Sequence, residues 1–255
     1  MEIAILAAGK GTRMNSDLPK VMHPVGGKPM LQHVLDTATE LHADAIHVVY
    51  GHGGEQVSGY FSPNGVVRDD IPSDDAPRDD IRWVLQAEQL GTGHALQQVL
   101  PHASPDATLL VLYGDVPLIR AETLAPLAAI GDGVALLTVE LEDPAGMGRI
   151  LRDAGGAVTG IVEEKDATAA QLKITEINTG FMAAPVRRFR QWLGQLGNDN
   201  AQGEYYLTDI IGLAVAEGLP VRDFRAAGAD EVLGVNSRED LERVERIYEN
   251  RLAGS

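Results

Sequence analysis

The sequence predicts an α/β protein with a Rossmann-like, mostly parallel sheet flanked by helices. Short apolar runs rich in Val, Ile and Leu alternate with longer amphipathic segments, the pattern of βα units. Glycines and prolines fall between these segments, where they stop one element before the next begins. At 255 residues and 44% hydrophobic content, the chain also has enough apolar material for a substantial core.

Strands are expected near 3–8, 45–50, 82–85, 107–113 and 133–141, with helices over 29–41, 93–100 and 121–130 between them. Beyond Glu142 the texture changes to shorter β-like pieces near 148–152, 157–163 and 175–183, then helical stretches near 186–195 and 205–217. This second half suggests a smaller, substrate-facing β lobe. The final segment opens with Ser237-Arg238-Glu239-Asp240, a capping-box arrangement, and places Leu241, Val244, Ile247 and Tyr248 on one side of a long helix. The expected division is therefore 1–236 for the main unit, whose second half faces the substrate, and 237–255 for a terminal helix.

Bulk properties exclude several classes of function. With 37 acidic and 21 basic residues, the formal net charge of −16 repels nucleic acid and anionic membranes. The absence of cysteine removes disulfides, thiolate metal sites and a cysteine nucleophile. The stretch from Ile3 to Ala8 is too short for a signal-peptide core, and no run approaches a membrane span, so cytoplasmic residence is the default expectation. Residues 68–80 hold six aspartates and two prolines without the spacing of a calcium loop and are expected to form a solvated surface loop outside any site. The seven histidines show no metal-ligand spacing.

The first apolar run passes into Ala7-Ala8-Gly9-Lys10-Gly11-Thr12-Arg13-Met14, whose small residues allow backbone N–H groups to approach an anion. A P-loop needs Ser or Thr where Gly11 stands, and a dinucleotide fingerprint needs Gly where Met14 stands. The turn alone fits a nucleotide cradle and a purely conformational role equally well. Downstream, Arg13-x5-Pro19-Lys20 adds a guanidinium and an ammonium suited to phosphates. Residues 1–28 carry four cations against two anions, a local +2 that leaves −18 for the remainder.

Gln86-Ala87-Glu88-Gln89-Leu90-Gly91-Thr92-Gly93-His94-Ala95 follows a short strand and opens a helix, so it serves either as a base-reading loop suited to uracil or as an ordinary glycine-bearing cap. Leu109–Tyr113 ends in Gly114-Asp115-Val116-Pro117-Leu118, which presents a carboxylate at the carboxyl edge of the sheet, where ligands bind in open α/β folds. One exposed Asp is a reasonable magnesium anchor, because magnesium takes its other ligands from phosphate and water; a turn aspartate capping the next element is the alternative.

Together with Glu163-Glu164-Lys165-Asp166, Glu176-Ile177-Asn178-Thr179-Gly180, Asn200–Asp209 and Gly234-Val235-Asn236, these blocks resemble the uridyltransferase domain of the bacterial bifunctional N-acetylglucosamine-1-phosphate uridyltransferase/glucosamine-1-phosphate acetyltransferase family. The block from Leu6 to Lys20 is shared with sugar-nucleotide pyrophosphorylases generally. The resemblance implies a nucleotide-diphospho-sugar transferase fold and transfer of UMP from UTP to N-acetylglucosamine 1-phosphate, with release of pyrophosphate, for cell-envelope precursors. It also implies residue roles. Leu6, Ala7, Ala8 and Gly9, with Gln86, Gly91 and Thr92, would hold the uridine nucleotide, and Tyr113 and Gly114 belong to the same substrate-binding set. Arg13 and Lys20 would bind phosphates, Asp115 and Asn236 would hold Mg2+, and Gly148, Glu163 and Asn178 would contact the sugar.

Met147 stands where this family usually has tyrosine, which bears on sugar selectivity. The family's β-helix acetyltransferase half has no counterpart in these residues, so acetyl transfer is not expected, and a monomer or weak oligomer is. Other readings are uridylyl or thymidylyl transfer to a different sugar 1-phosphate, or a non-catalytic nucleotide-sugar sensor. Metal-dependent glycosyltransferases typically carry Asp-x-Asp, which does not occur here.

Overall fold

In the computed structural model, residues 1–9, 11–51, 54–61 and 81–254 are described, so the acidic segment 68–80 lies outside the described residues. Four parallel strands form the nucleus: β1 (Glu2–Leu6), β4 (Ala45–Tyr50), β5 (Ile81–Leu85) and β6 (Thr108–Tyr113). The main sheet continues through β10 (Glu176–Pro185), β7 (Val134–Glu140) and β11 (Val221–Arg225), giving the order β11-β7-β10-β6-β1-β4-β5. β10 runs antiparallel to both β6 and β7, while β11 is parallel to β7. A side hairpin of β8 (Arg149–Arg152) and β9 (Val158–Val162) joins β10, and a two-stranded hairpin of β2 (Pro24–Val25) and β3 (Lys28–Pro29) stands apart.

Strands β1, β4 and β6 are buried on both faces because both are covered, as parallel sheets require, while β5 at the sheet edge exposes Arg82 and Leu85. On one face Ile3, Ile5, Ile46, Val48, Leu110 and Leu112 pack with Leu31, Val34 and Leu35 of helix α1 (Met30–Glu40) and with Leu124 and Leu127 of α4 (Ala121–Ala128). On the other, Ala4, Leu6, Val49, Leu109 and Val111 meet Leu96 and Val99 of α3 (Thr92–Val99), Phe189 and Trp192 of α5 (Val186–Leu193), and Ile210 and Ile211 of α6 (Ile210–Ala216). A third cluster binds α7 (Arg238–Ala253) through Val244 to Met14, Val25, Met30 and Leu118. Among the described residues no helix is long and apolar enough to cross a membrane.

Most expected elements are present, with informative differences at their ends. The first strand stops at Leu6 rather than residue 8, where the chain turns away from the sheet edge. The stretch expected to be helical from 205 shortens to a 3-10 turn at Leu207–Asp209 followed by α6. Its start is claimed by tertiary bonds instead, since Tyr205 N donates to Leu90 O at 2.8 Å and Tyr205 O accepts from Gly93 N at 2.8 Å. Helix α2 (Glu55–Phe61), β11 and the β2–β3 hairpin were not expected. The capping box is realised: Ser237 Oγ accepts from Asp240 N at 3.2 Å and Asp240 Oδ2 from Ser237 N at 2.9 Å.

Candidate functional site

From β1 the chain proceeds to β4 and β5 on one side, then returns to place β6 on the other. This reversal opens a crevice at the carboxyl ends of β1 and β6, the position where open α/β sheets bind ligands. Both lips leave their strands there. Ala7 N donates to Val49 O at 2.8 Å and Gly114 N to Leu6 O at 3.0 Å, which pins the turn after β1 between its two neighbours.

A cavity of about 380 Å³ fills the crevice, lined among others by Leu6, Ala7, Ala8, Gly9, Lys20, Gln86, Gly91, Thr92, Tyr113 and Asp115. Ten of the expected residues therefore share one space. A second cavity of about 470 Å³ continues past Gly9 and Lys20 toward Pro19, Tyr50 and Gly54. Gln89 lines both and donates its side-chain amide to Ala8 O, a contact that sequence reading did not single out.

The 86–95 segment is held rigidly. Gln86 Nε2 donates to Gly91 O at 3.2 Å and lies 3.1 Å from His94 Nδ1, so the orientation of its amide is set from within. Gly91 has φ +107°, and a Cβ there would stand 2.7 Å from Tyr205 O; no other residue suits both the angle and the approach. Thr92 Oγ1 accepts from Leu207 N at 3.1 Å. The block 200–209 thus supports the block 86–95 from behind.

Lys20, Asp115 and Asn236 converge. The Lys20 ammonium is hydrogen-bonded to Asp115 Oδ2 and lies 3.2 Å from Asn236 Oδ1, so two oxygen-bearing side chains 121 positions apart in sequence face one positive group. Backbone geometry enforces this, since Val235 N donates to Asp115 O at 2.9 Å and Asp240 Oδ2 accepts from Asn236 N at 2.9 Å. Arg13 behaves differently. It sits exposed on a 3-10 turn, outside the residues lining either cavity. Gly114 is packed behind the turn, where an added Cβ would lie 3.0 Å from Ala7 Cβ.

The remaining expected residues form a second group beside Tyr113. Asn178 N donates to Gly148 O at 2.9 Å, and a Cβ on Gly148 would come within 3.3 Å of both Glu163 carboxylate oxygens. Burial pushes the Glu163 carboxyl above its ordinary value; a hydrogen bond from Thr208 Oγ1 at 2.9 Å opposes this, and the charges of Asp209 and Asp166 reinforce it. Burial also raises the Tyr113 phenol, with Glu163 and Asp115 adding to the effect, which places this ring electrostatically between the two groups. Asn178 Oδ1 is buried without a hydrogen-bond partner among the described residues. A buried acceptor left unmade is costly, so it calls for a donor from elsewhere.

Three supporting features escaped sequence reading. β10 shifts register between Asn178 and Met182, and within this bulge Gly180 has φ +90° and passes so close to the Tyr113 ring that a Cβ would stand 2.5 Å from it. Thr208 belongs to a recognised block but carries no local sign of its bond to Glu163. Around Met147, the Arg149 guanidinium donates to Met147 O, and Gly146 N donates to Glu164 Oε2 at 2.8 Å, fixing the turn that presents Gly148. Met147 itself is partly buried and packs on the core cluster that holds Leu31 of α1 and Leu124 of α4.

A family profile described as the MobA-like NTP transferase domain matches residues 3–146, more than half of the chain and the part that builds the crevice. The chain belongs to the MobA-like NTP transferase domain family. This nucleotidyltransferase domain is 53% identical over 254 residues to the bifunctional protein GlmU of Alkalilimnicola ehrlichii, covering 99% of this chain and 52% of that protein. It is 56% identical over 255 residues to the GlmU of Azoarcus sp., covering 99% and 53%. The chain spans about half the length of these curated relatives. Its fold matches UDP-glucose pyrophosphorylase complexed with UDP-glucose at a TM-score of 0.77 over 98% of each chain, at 16% identity.

Proposed function

We propose that this chain transfers UMP from UTP to N-acetylglucosamine 1-phosphate, forming UDP-N-acetylglucosamine and pyrophosphate. The observation that carries the reading is the meeting of Lys20, Asp115 and Asn236 at the switch point of the sheet, beside the Ala7–Gly9 turn. Identity of over half the residues with GlmU proteins across this chain supports the same reading.

Two hard oxygen donors that already share one positive group suit a small divalent cation such as Mg2+, whose other ligands come from phosphate and water. When bound, such an ion supplies charge neutralisation to the phosphates. The protein's own residues do the rest. The backbone of Ala7 to Gly9 admits a phosphate chain at close range, and Lys20 stands ready to neutralise it. Gln86, oriented through its amide nitrogen, offers an oxygen to the imide N–H of uracil. On the sugar side, the unpartnered Asn178 Oδ1 and the half-buried Glu163 carboxylate accept hydrogen bonds from an amide or hydroxyl. The sugar phosphate oxygen attacks the α-phosphorus in line and pyrophosphate leaves opposite, so the chain's task is to align two anions rather than to supply a nucleophile.

Pyrophosphate release from UTP with Mg2+ tests the reading, with N-acetylglucosamine 1-phosphate compared with glucose 1-phosphate and galactose 1-phosphate. The first should give the highest kcat/KM; preference for either other sugar would redirect the assignment toward a different sugar nucleotide, with Met147 the residue to examine. Asp115→Ala should lower turnover by at least about a hundredfold while the Tm stays near that of the parent. Near-normal turnover in this variant would remove Asp115 from the mechanism.

A further inference from the structure

The last helix does more than pack on the domain. Arg238, in the first turn of α7, reaches back 224 and 223 positions to the chain that follows the glycine-rich turn: its Nε donates to Met14 O at 3.1 Å and its Nη2 to Asn15 O at 3.0 Å. One guanidinium fork thus grips two consecutive carbonyls. Asn15 has φ 47°, in the left-handed region that asparagine tolerates better than most residues with a side chain, so the grip falls on a turn of defined shape. Below it, Met14 is 1% exposed in the cluster that contains Val244 of α7. Beyond it, burial holds the His23 ring below its ordinary value and the Arg238 charge pushes the same way, against a backbone hydrogen bond to Leu18 that opposes both.

The anchor itself is rigid. The Ser237–Asp240 box closes the first turn of α7, and the same Asp240 carboxylate accepts the Asn236 amide. One capped turn therefore holds Asn236 opposite Asp115 on one side and Arg238 against the 14–15 backbone on the other.

We propose that Arg238 is a positioning residue for nucleotide binding, fixing the 11–20 loop so that the Ala7–Gly9 turn and Lys20 meet the triphosphate in a preset geometry. This rests on the reading of that loop as the phosphate site of uridylyl transfer. A guanidinium bonded to two consecutive carbonyls of a turn removes the loop's alternatives before ligand arrives, which is preorganisation in the sense that raises affinity without a direct contact.

The test uses the full chain with Arg238→Ala and Arg238→Lys. Four quantities are read: the KM for UTP, the KM for the sugar phosphate, the Tm, and hydrogen exchange of the amides in 11–18 without ligand. Arg238→Ala is expected to raise the KM for UTP about tenfold and to speed exchange in 11–18, with the KM for the sugar phosphate within about twofold of the parent. Arg238→Lys should fall between, since an ammonium satisfies one carbonyl at a time where the fork satisfies two. Unchanged exchange and an unchanged KM for UTP would overturn the proposal, as would an equal rise in both KM values that merely follows a fall in Tm. The exchange measurement also separates this idea from the functional reading. If the parent fails to use UTP, faster exchange in Arg238→Ala still upholds the clamp, and unchanged exchange sinks it.

Discussion

At Glu163 a carboxylate is held where charge is expensive. Its pKa is raised by burial, so the folded state binds a proton more readily than the unfolded chain, whose value is 4.5. The sign follows directly. Below about pH 4.5 both states are protonated and the group costs nothing; as pH rises through the folded pKa, ionisation inside the protein subtracts stability. Glu163→Gln should therefore raise the Tm at pH 7.5, by about 2–4 °C for each kcal/mol relieved, with the difference closing as pH falls toward 4.5. The same variant should weaken sugar-phosphate binding, seen as a higher KM. A variant no more stable than the parent at pH 7.5 would mean that Glu163 is better solvated than its surroundings suggest. Of the residues around this carboxylate, Asn178 and Gly148 were visible in the sequence through the blocks that carry them. Thr208 also lies in a block, but nothing there tied its hydroxyl to Glu163, because a hydrogen bond reaching 45 positions leaves no local trace.

Among elements, the bulge in β10 is the one on which the site most visibly depends. A regular antiparallel strand would carry a side chain at residue 180 into the Tyr113 ring; glycine in a positive-φ bulge lets strand and ring pass. Gly180→Ala should destabilise the fold by about 1–3 kcal/mol, measurable by urea unfolding, through backbone strain combined with the displaced ring. Loss of less than about 0.5 kcal/mol would show that Tyr113 moves aside freely. Elements with strong patterns were legible beforehand, since the Val/Ile/Leu runs of β1, β4 and β6 are buried on both faces and read as strands at once. β11, with sequence Val-Arg-Asp-Phe-Arg, was not: it lies at the sheet edge, half exposed, and its charges satisfy partners rather than a periodicity, as when Asp223 meets Arg152. The start of the 205–217 stretch misled for the opposite reason. Its helical pattern is real, but the Tyr205 backbone is spent on Leu90 and Gly93.

For the whole molecule, the sequence located the crevice because a glycine-rich turn and an aspartate each followed an apolar run, and the topology then placed both at a switch point. Local pattern could not bring Asn236 to Asp115, a pair that only the family resemblance implied, nor Arg238 to Met14, since those meetings depend on how the sheet is ordered and where α7 docks. The −16 net charge is likewise a property of the whole that conceals the local arrangement, in which the Lys20 ammonium is placed at the crevice.

The segment from Ala201 to Thr208 is hydrogen-bonded on both of its sides. On the side of the crevice it is bonded to Leu90, Thr92 and Gly93; on the other, Ala201 N donates to Asp166 Oδ1 at 3.0 Å, Gln202 Oε1 accepts from Lys165 at 2.7 Å, and Thr208 holds Glu163, which the proposed function assigns to the sugar. A ligand that stiffens this segment from one side spares a ligand on the other part of the ordering cost, so the two proposed substrates should favour each other reciprocally. Calorimetric titration of an unreactive UTP analogue, with and without saturating N-acetylglucosamine 1-phosphate, should show about a fivefold gain in affinity, with the same factor in the reverse order of addition. Strictly additive affinities would mean that the segment transmits nothing.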